Sequence, residues 1–383
     1  MTYWGDQMRV VIAIDSFKGS LTSIQAGQAV KAAILSVDGQ AEVMVSPLAD
    51  GGEGTVEALS GAPDGELVTV SVCGPLGAPV DAQYCILQNT KTAVIEMAAA
   101  AGITLITDRN PLKTTTYGVG ELIRDAIHKG CRRFIVGIGG SATNDGGTGM
   151  LTALGYRFLG ESGEPIALGA EGLRDLRSID ASGVLPELAE CSFRVACDVN
   201  NPLCGERGCS AVYGPQKGAT PQMIRDMDLW LRHYGELAKS HTPKADPEHP
   251  GAGAAGGLGF AFLAFTEAIL DSGIQIVLKE TGLEALVKDA DLVITGEGRL
   301  DAQTVMGKAP IGVAKLAKKY QKPVIAFSGC TAEGVEVCND HGIDAFFPIL
   351  REITTLEEAL KPEIASANLT ATARQVFRLY RMK

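Results

Sequence analysis

The chain is short of positive charge: 34 lysines and arginines face 45 aspartates and glutamates, a formal net charge of −11 at pH 7. A nucleic-acid partner ordinarily requires a basic face, so that class of function is set aside. An anionic small molecule must then be held by local cations and helix ends. Long apolar runs are also missing. No stretch approaches the roughly 20 apolar residues that span a bilayer, and the N-terminus has no basic region followed by an apolar core. The expectation is a cytoplasmic protein, neither inserted nor exported. Nine cysteines occur without a CxxC pair, which argues against a disulfide framework or a structural zinc site and fits a reducing compartment. The five histidines show no HExxH or triad spacing, and the lack of a GxSxG elbow moves hydrolase chemistry out of the front rank. The P-loop pattern fails too, because Gly307-Lys308 is followed by Ala309 and lacks the upstream glycine.

What the chain does have is a recurrent pairing of a short apolar run with a loop rich in glycine and acid. RVVIAI leads into Asp15, Ser16, Lys18 and Gly19; EVMVSPL into Asp50, Gly51, Gly52, Glu53 and Gly54; CRRFIV into GIGGSATNDGGTG (137–149); DLVI into TGEGRLD (295–301); PVIAF into Ser328 and Gly329. In open parallel sheets ligands sit at the carboxyl ends of strands, so such loops can converge on one crevice. Backbone amides, hydroxyls, a few carboxylates and a few cations are equipment for holding phosphate and a metal ion.

The fold class read from this pattern is α/β with two domains. Residues 9–48 form a βαβ unit with a helix over 22–37, opened by the capping-box spacing Thr22/Gln25 and closed near Gly39. Both strands are near-continuous apolar runs, as in a parallel sheet covered on both faces. The same grammar returns at the other end, with a helix over 309–320. Residues 61–90 instead suggest antiparallel hairpin strands, followed by TAVIEM, helices over 119–129 and 147–154, and a strand ending at Val136. The expected division is a discontinuous Rossmann-like parallel-sheet domain, 8–60 plus 287–383, formed by both chain termini, with a second mixed α/β domain, 61–286, inserted into it. MTYWGDQ before Met8 reads as a non-structural extension and HTPKADPEHPGAGAAGG as a mobile loop.

Each candidate site has a bland alternative. GIGGSATNDGGTG can cradle an anion at the start of the following helix or be only a tight strand-to-helix turn. It also matches the dinucleotide pattern at Gly137, Gly139 and Ala142, with Glu161 near the expected spacing, although Glu161 sits in a glycine-rich turn. Asp15 and Lys18 can orient a metal or hydroxyl and neutralise phosphate, or merely cap a turn and face solvent. Asp50 and Glu53 repeat that arrangement and suit Mg²⁺, which takes one or two protein carboxylates and completes its shell with water and phosphate. Asp198 is equally a general base or an Asx-turn former. Arg299 and Asp301 lie at a strand end, their alternative being a salt bridge within the loop.

Taken in order, DSFKGSLTS (15–23), PLADGGEGT (47–55), GIGGSATNDGGTG (137–149), ACDVNNPLCG, GPQKGA, GAGAAGGLG (251–259) and TGEGRLDAQT (295–304) make the chain resemble the bacterial glycerate kinase family over about residues 8–380. The resemblance implies an ATP- and Mg²⁺-dependent kinase of D-glycerate with two α/β domains and 2-phosphoglycerate as product. From placement, the nucleotide falls to Gly139, Gly140, Ser141, Thr143, Asn144, Asp145, Gly146, Gly147 and Lys217, and the metal to Asp50 and Glu53. Substrate contacts fall to Asp15, Ser16, Lys18, Asn200, Glu297 and Arg299. Asp198 or Asp301 would accept the hydroxyl proton, with Lys18 and Arg299 on the moving phosphoryl group or the carboxylate. Phosphorylation at the 3-hydroxyl, another small hydroxy acid, a nicotinamide-dependent oxidoreductase and a non-catalytic sensor stand as alternatives. The oligomeric state stays open, a homo-oligomer included.

Overall fold

The computed structural model describes residues 7–49, 51–52, 54–61 and 64–382. Of the expected N-terminal extension, residues 1–6 lie outside the described residues, as do Asp50 and Glu53. Among the described residues thirteen strands form three sheets: β1 (Arg9–Ile14), β2 (Glu42–Val45), β3 (Gly65–Cys73), β4 (Pro79–Leu87), β5 (Thr92–Glu96), β6 (Arg133–Gly137), β7 (Arg157–Leu159), β8 (Ser178–Asp180), β9 (Ser192–Ala196), β10 (Glu267–Asp271), β11 (Leu292–Leu300), β12 (Val324–Thr331) and β13 (Ala345–Pro348). The chain divides into two compact units, Met1–Asp50 with Ile274–Lys383, and Gly51–Gly273.

The first unit is built on a wholly parallel sheet in the order β13-β12-β11-β1-β2, from strands near both ends of the chain. Its helix Ser23–Leu35 starts as its sequence dictates. The Thr22 hydroxyl accepts from the Gln25 amide at 3.3 Å, and the Gln25 side chain accepts from the Thr22 amide at 3.0 Å. Because side chains alternate along a strand, Val10, Ile12, Ile14, Leu292, Ile294 and Phe327 share one face, packed with Val30 and Ile34 of that helix and Leu369 and Phe377 of the helix Pro362–Tyr380. The alternate residues Val11, Ala13, Val293 and Thr295 are buried on the other face, where the helix Ala309–Lys319 packs. Burial on both sides is why these strands read as unbroken apolar runs.

The second unit holds a mixed sheet ordered β10-β9-β6-β5-β4-β3, with β5, β6, β9 and β10 parallel and the β3–β4 hairpin running against β5. Phe134 and Phe193 stack at 4.7 Å between β6 and β9. Tyr234, on the helix Pro221–His241, meets Phe260 edge-on at 5.3 Å. A separate antiparallel pair, β7 and β8, completes the strands.

Two expectations are corrected. TGEGRL and Ser328-Gly329 are strand continuations and not loops: β11 and β12 stay paired through Glu297↔Ser328 to Leu300↔Thr331. Gly296 makes that approach feasible, since a Cβ there would lie 2.0 Å from the Phe327 carbonyl oxygen. The second half of the supposed mobile loop is packed instead: Ala252 and Ala254 are buried, and the Gly256 carbonyl accepts the Gly146 amide at 2.9 Å.

Candidate active site

In the first unit the chain runs outward from the two central strands in opposite directions, β1 to β2 on one side and β11 to β12 on the other. The crevice beyond the carboxyl ends of such a strand pair is where open α/β sheets bind ligands. The Asp15 amide bonds the Gly296 carbonyl at 2.9 Å, so the first residue after β1 is tied beside Glu297. Asp15 is buried, and its carboxylate accepts the Ser16 amide at 2.7 Å.

Lys18 reaches solvent through a tight turn. The Ser20 amide bonds the Phe17 carbonyl at 2.7 Å, and Gly19 takes the φ of +78° that the third position of a type II turn needs. Phe17 and Leu21 anchor the turn in the core, leaving Lys18 exposed at its tip. Gly298 of β11 lies against this turn, with space for a Cβ at 3.5 Å from the Lys18 backbone nitrogen. The backbone of the Lys18 turn thereby runs beside the Gly298 segment of TGEGRLD.

At the end of β11 the charges alternate. Glu297 is buried and accepts from the Thr304 hydroxyl at 2.8 Å. Asp301 is also buried and takes the Arg299 guanidinium at 2.8 and 3.0 Å and the Gln303 amide at 2.9 Å. The salt bridge named as the bland alternative for Arg299 and Asp301 is therefore present, yet Arg299 keeps 60% of its side chain exposed and remains reachable by an anion. Lys308 completes the group, 3.4 Å from Glu297 and 3.9 Å from Asp301. The two acids are driven apart electrostatically. Burial raises the Glu297 pKa despite Thr304 and Lys308. Burial also acts on Asp301, but Arg299, Lys308 and the Gln303 amide outweigh it and hold that carboxyl below its ordinary range.

In the second unit the strand ends present Glu96 (β5), Gly137 (β6) and Ala196 (β9) side by side. The Glu96 side chain accepts the Val56 amide at 2.8 Å and so fixes the start of the helix Thr55–Ser60. Asp198 and Asn200 follow β9 at this edge, both exposed.

Within GIGGSATNDGGTG the residues separate by burial. Gly139 and Gly140 are exposed and Ser141 lies just beneath the surface, whereas Thr143, Asn144, Asp145, Gly146 and Gly147 are buried. The Asp145 carboxylate accepts the amides of Thr116 at 2.8 Å, Gly147 at 3.2 Å and Gly149 at 3.4 Å, and the Thr116 hydroxyl at 2.9 Å. Burial pushes its pKa up while these donors pull it down, Thr116 foremost. The helix Thr148–Ala153 thus has its first turn capped from within the protein. Asn144 donates to the Ser210 hydroxyl at 2.8 Å.

Lys217 is buried under the same loop, donating to the Ser141 hydroxyl at 2.8 Å and the Thr143 carbonyl at 2.6 Å. Burial pulls its pKa down to about 8, against the opposite pull of Cys209 and Asp145. A lysine in the unfolded chain keeps its usual pKa near ~10.4. Between these values the unfolded chain holds a proton that the folded one has lost, so this group's contribution to stability rises with pH across the window and is a constant penalty below it. Urea unfolding of wild type and Lys217→Met should show wild type gaining roughly 3 kcal/mol relative to the variant between about pH 8 and 10.5. A difference independent of pH would show that Lys217 is not held in this way.

Three contributors were passed over in the sequence. In the sequence Lys308 stands out only through the failed P-loop pattern, Glu96 lies inside an apolar strand, and Thr116 precedes a helix without any motif. The described residues contain no group of three or more His, Cys, Asp or Glu placed to enclose a metal ion.

Residues 10–381 match the family model described as the glycerate kinase family. The chain belongs to the glycerate kinase family. It is 49% identical over 378 residues to a glycerate kinase of Haemophilus influenzae, covering 98% of this chain and 100% of that one. It is 48% identical over 372 residues to a glycerate 2-kinase of Escherichia coli, covering 95% and 98%. A crystal structure from Salmonella typhimurium LT2 superposes with a TM-score of 0.90 at 48% identity, covering 98% of this chain and 99% of that one. Family membership makes the chain a phosphotransferase and implies ATP use. It also overturns the nicotinamide alternative, and the structure supplies the reason. After Gly137 the next helix begins only at Thr148, so Gly137, Gly139 and Ala142 do not open a helix, and Glu161 is an exposed turn residue. Among the described residues no helix is long and apolar enough to cross a membrane.

Proposed function

We propose that this chain transfers the γ-phosphoryl group of ATP to the 2-hydroxyl of D-glycerate, with Mg²⁺, in the cytoplasm. The observation that carries the reading is the gathering of Asp15, Lys18, Glu297, Arg299 and Asp301 at the strand switch of β1 and β11 in a member of this kinase family. Phosphoryl transfer asks a protein mainly to position groups and to stabilise charge spreading over the transferred oxygens. Lys18 and Arg299, both exposed cations, are suited to the substrate carboxylate or the moving phosphoryl group. Asp15, Ser16 and Glu297 would orient the hydroxy acid, joined by Asn200. Asp301, held ionised by Arg299, would accept the hydroxyl proton late in a loose transition state, with Asp198 as the other candidate. Gly139, Gly140 and Ser141 would meet the nucleotide directly, while Thr143, Asn144, Asp145, Gly146, Gly147 and Lys217 would support that contact from beneath.

A hard cation such as Mg²⁺ takes one or two protein carboxylates and completes its shell with water and phosphate. Asp50 and Glu53 remain the proposed Mg²⁺ ligands. The ion, when bound, neutralises charge on the phosphates. We further propose that the two units act as domains, a Rossmann-like one (8–60 plus 287–383) and an inserted one (61–286). The 2-hydroxyl is favoured over the 3-hydroxyl by the name of the Escherichia coli relative.

ADP release from MgATP should depend on D-glycerate, and phosphorus NMR should show the product's phosphorus coupled to the single proton on C2. Coupling to two C3 protons would move the reaction to the 3-hydroxyl, and the absence of glycerate-stimulated turnover in folded protein would overturn the substrate.

A further inference from the structure

We propose that Lys308 is a positioning residue of the phosphoryl-transfer site, its ammonium bridging Glu297 and Asp301 so that both carboxylates are held at the end of β11. The inference rests on the proposed function, because those two acids are assigned to the substrate there. Its physical basis is independent of any motif. Lys308 follows Gly307, whose φ of +113° turns the chain, and it occupies the N-cap of the helix Ala309–Lys319 in extended conformation. That places its side chain back over β11, 3.4 Å from Glu297 and 3.9 Å from Asp301.

Two acids in one buried group repel each other unless a cation lies between them. Arg299 serves Asp301 from the exposed side at 2.8 Å. Glu297 has the neutral Thr304 hydroxyl on one oxygen, and the charge that compensates it is Lys308. The contacts of Lys308 are longer than a closed ion pair, and about a third of its side chain is exposed. The ammonium can therefore orient two carboxylates and still offer a proton to a phosphate oxygen.

The charged and titratable groups around this pair are Arg299 on β11, Lys308 at the helix start and the Cys338 thiol on the helix Val337–Asp340, which points at the Asp301 carbonyl, with the backbone of Asp15 after β1 and of Lys18 in the turn running beside Gly296 and Gly298. Removing Lys308 takes away a cation within about 4 Å of both acids, so both become easier to protonate.

The test is steady-state turnover of wild type, Lys308→Met and Lys308→Arg with MgATP and D-glycerate, from pH 5 to 9, alongside urea unfolding. The expected result for Lys308→Met is a fall of ~10–100-fold in kcat/KM for glycerate, as for a lost charged contact, with the acidic limb of the pH profile moved up by about one unit or more. Lys308→Arg should recover much of the rate and the wild-type limb, which a merely structural role would not produce. Wild-type kcat/KM and an unmoved limb in Lys308→Met would overturn the assignment of Lys308 while leaving the kinase reading intact. Absence of glycerate-dependent turnover in wild type would instead overturn the kinase reading on which it rests. Should Lys308→Met unfold, Lys308→Gln in the same profile decides the question in the same two ways.

Discussion

Asp301→Asn is expected to lower kcat for glycerate by about 10²–10⁴-fold, the range that a positioned proton acceptor supplies. Asparagine keeps the size of the side chain and an oxygen for the Gln303 amide, whose bond to Asp301 is 2.9 Å. What it loses is the charge. The Arg299 guanidinium then has no carboxylate to close on at 2.8 Å, and the neutral amide cannot take the hydroxyl proton. The effect should fall on kcat, with the KM for ATP little changed, because Asp301 belongs to the end of β11 and the loop assigned to ATP follows β6. Steady-state kinetics with urea unfolding as a control check this. Wild-type turnover in Asp301→Asn would transfer the proton-accepting role to Asp198.

Asp145→Ala is expected to be the most damaging of the single changes to stability, at about 3–5 kcal/mol. Its carboxylate is the acceptor for three backbone amides and the Thr116 hydroxyl in a fully buried place. Alanine leaves those donors without a partner, each costing about 1–3 kcal/mol, offset where water enters. The measurement is urea unfolding at neutral pH, together with ATP affinity at a temperature where the variant is still folded. An aspartate that props the loop from below should show the stability loss with a modest change in affinity. A large loss of affinity with unchanged stability would mean that Asp145 meets the nucleotide itself.

Where a structural decision was local, it could be read from the residues. Thr22 and Gln25 carry the whole capping box within one turn, so the helix start at Ser23 was visible. The unbroken apolar runs of β1 and β11 told of a parallel sheet because both faces are buried. TGEGRL gave no such sign. Its glycines and acid are turn formers by habit, and it is the pairing with neighbouring strands, β1 at Thr295 and Gly296 and β12 as far as Leu300, that keeps them extended. That extension carries Glu297 to the place where Lys308 reaches it, a contact between residues eleven apart that no local pattern signals. Asp145 reads as a nucleotide contact because it lies within GIGGSATNDGGTG; the Gly147 and Gly149 amides that it accepts are local, but its main donor, Thr116, lies 29 residues earlier. Hydrogen bonds of that span belong to the tertiary structure and leave no trace in a local pattern.

The pairing of β1 with β11 joins Val10 to Leu292. On a ribosome the first strand therefore emerges long before the neighbour that completes it, and until residue 300 has been made its β11 edge is bare. The unit Gly51–Gly273 has all of its own strands by then and can close while the earlier segment waits. The charges of the proposed substrate site come from both sides of that late joint, Asp15 and Lys18 from the first strand to be synthesised and Glu297, Arg299 and Asp301 from one of the last. The site is thus completed late in synthesis, and a chain truncated before β11 carries two of its five charges and none of their shared geometry.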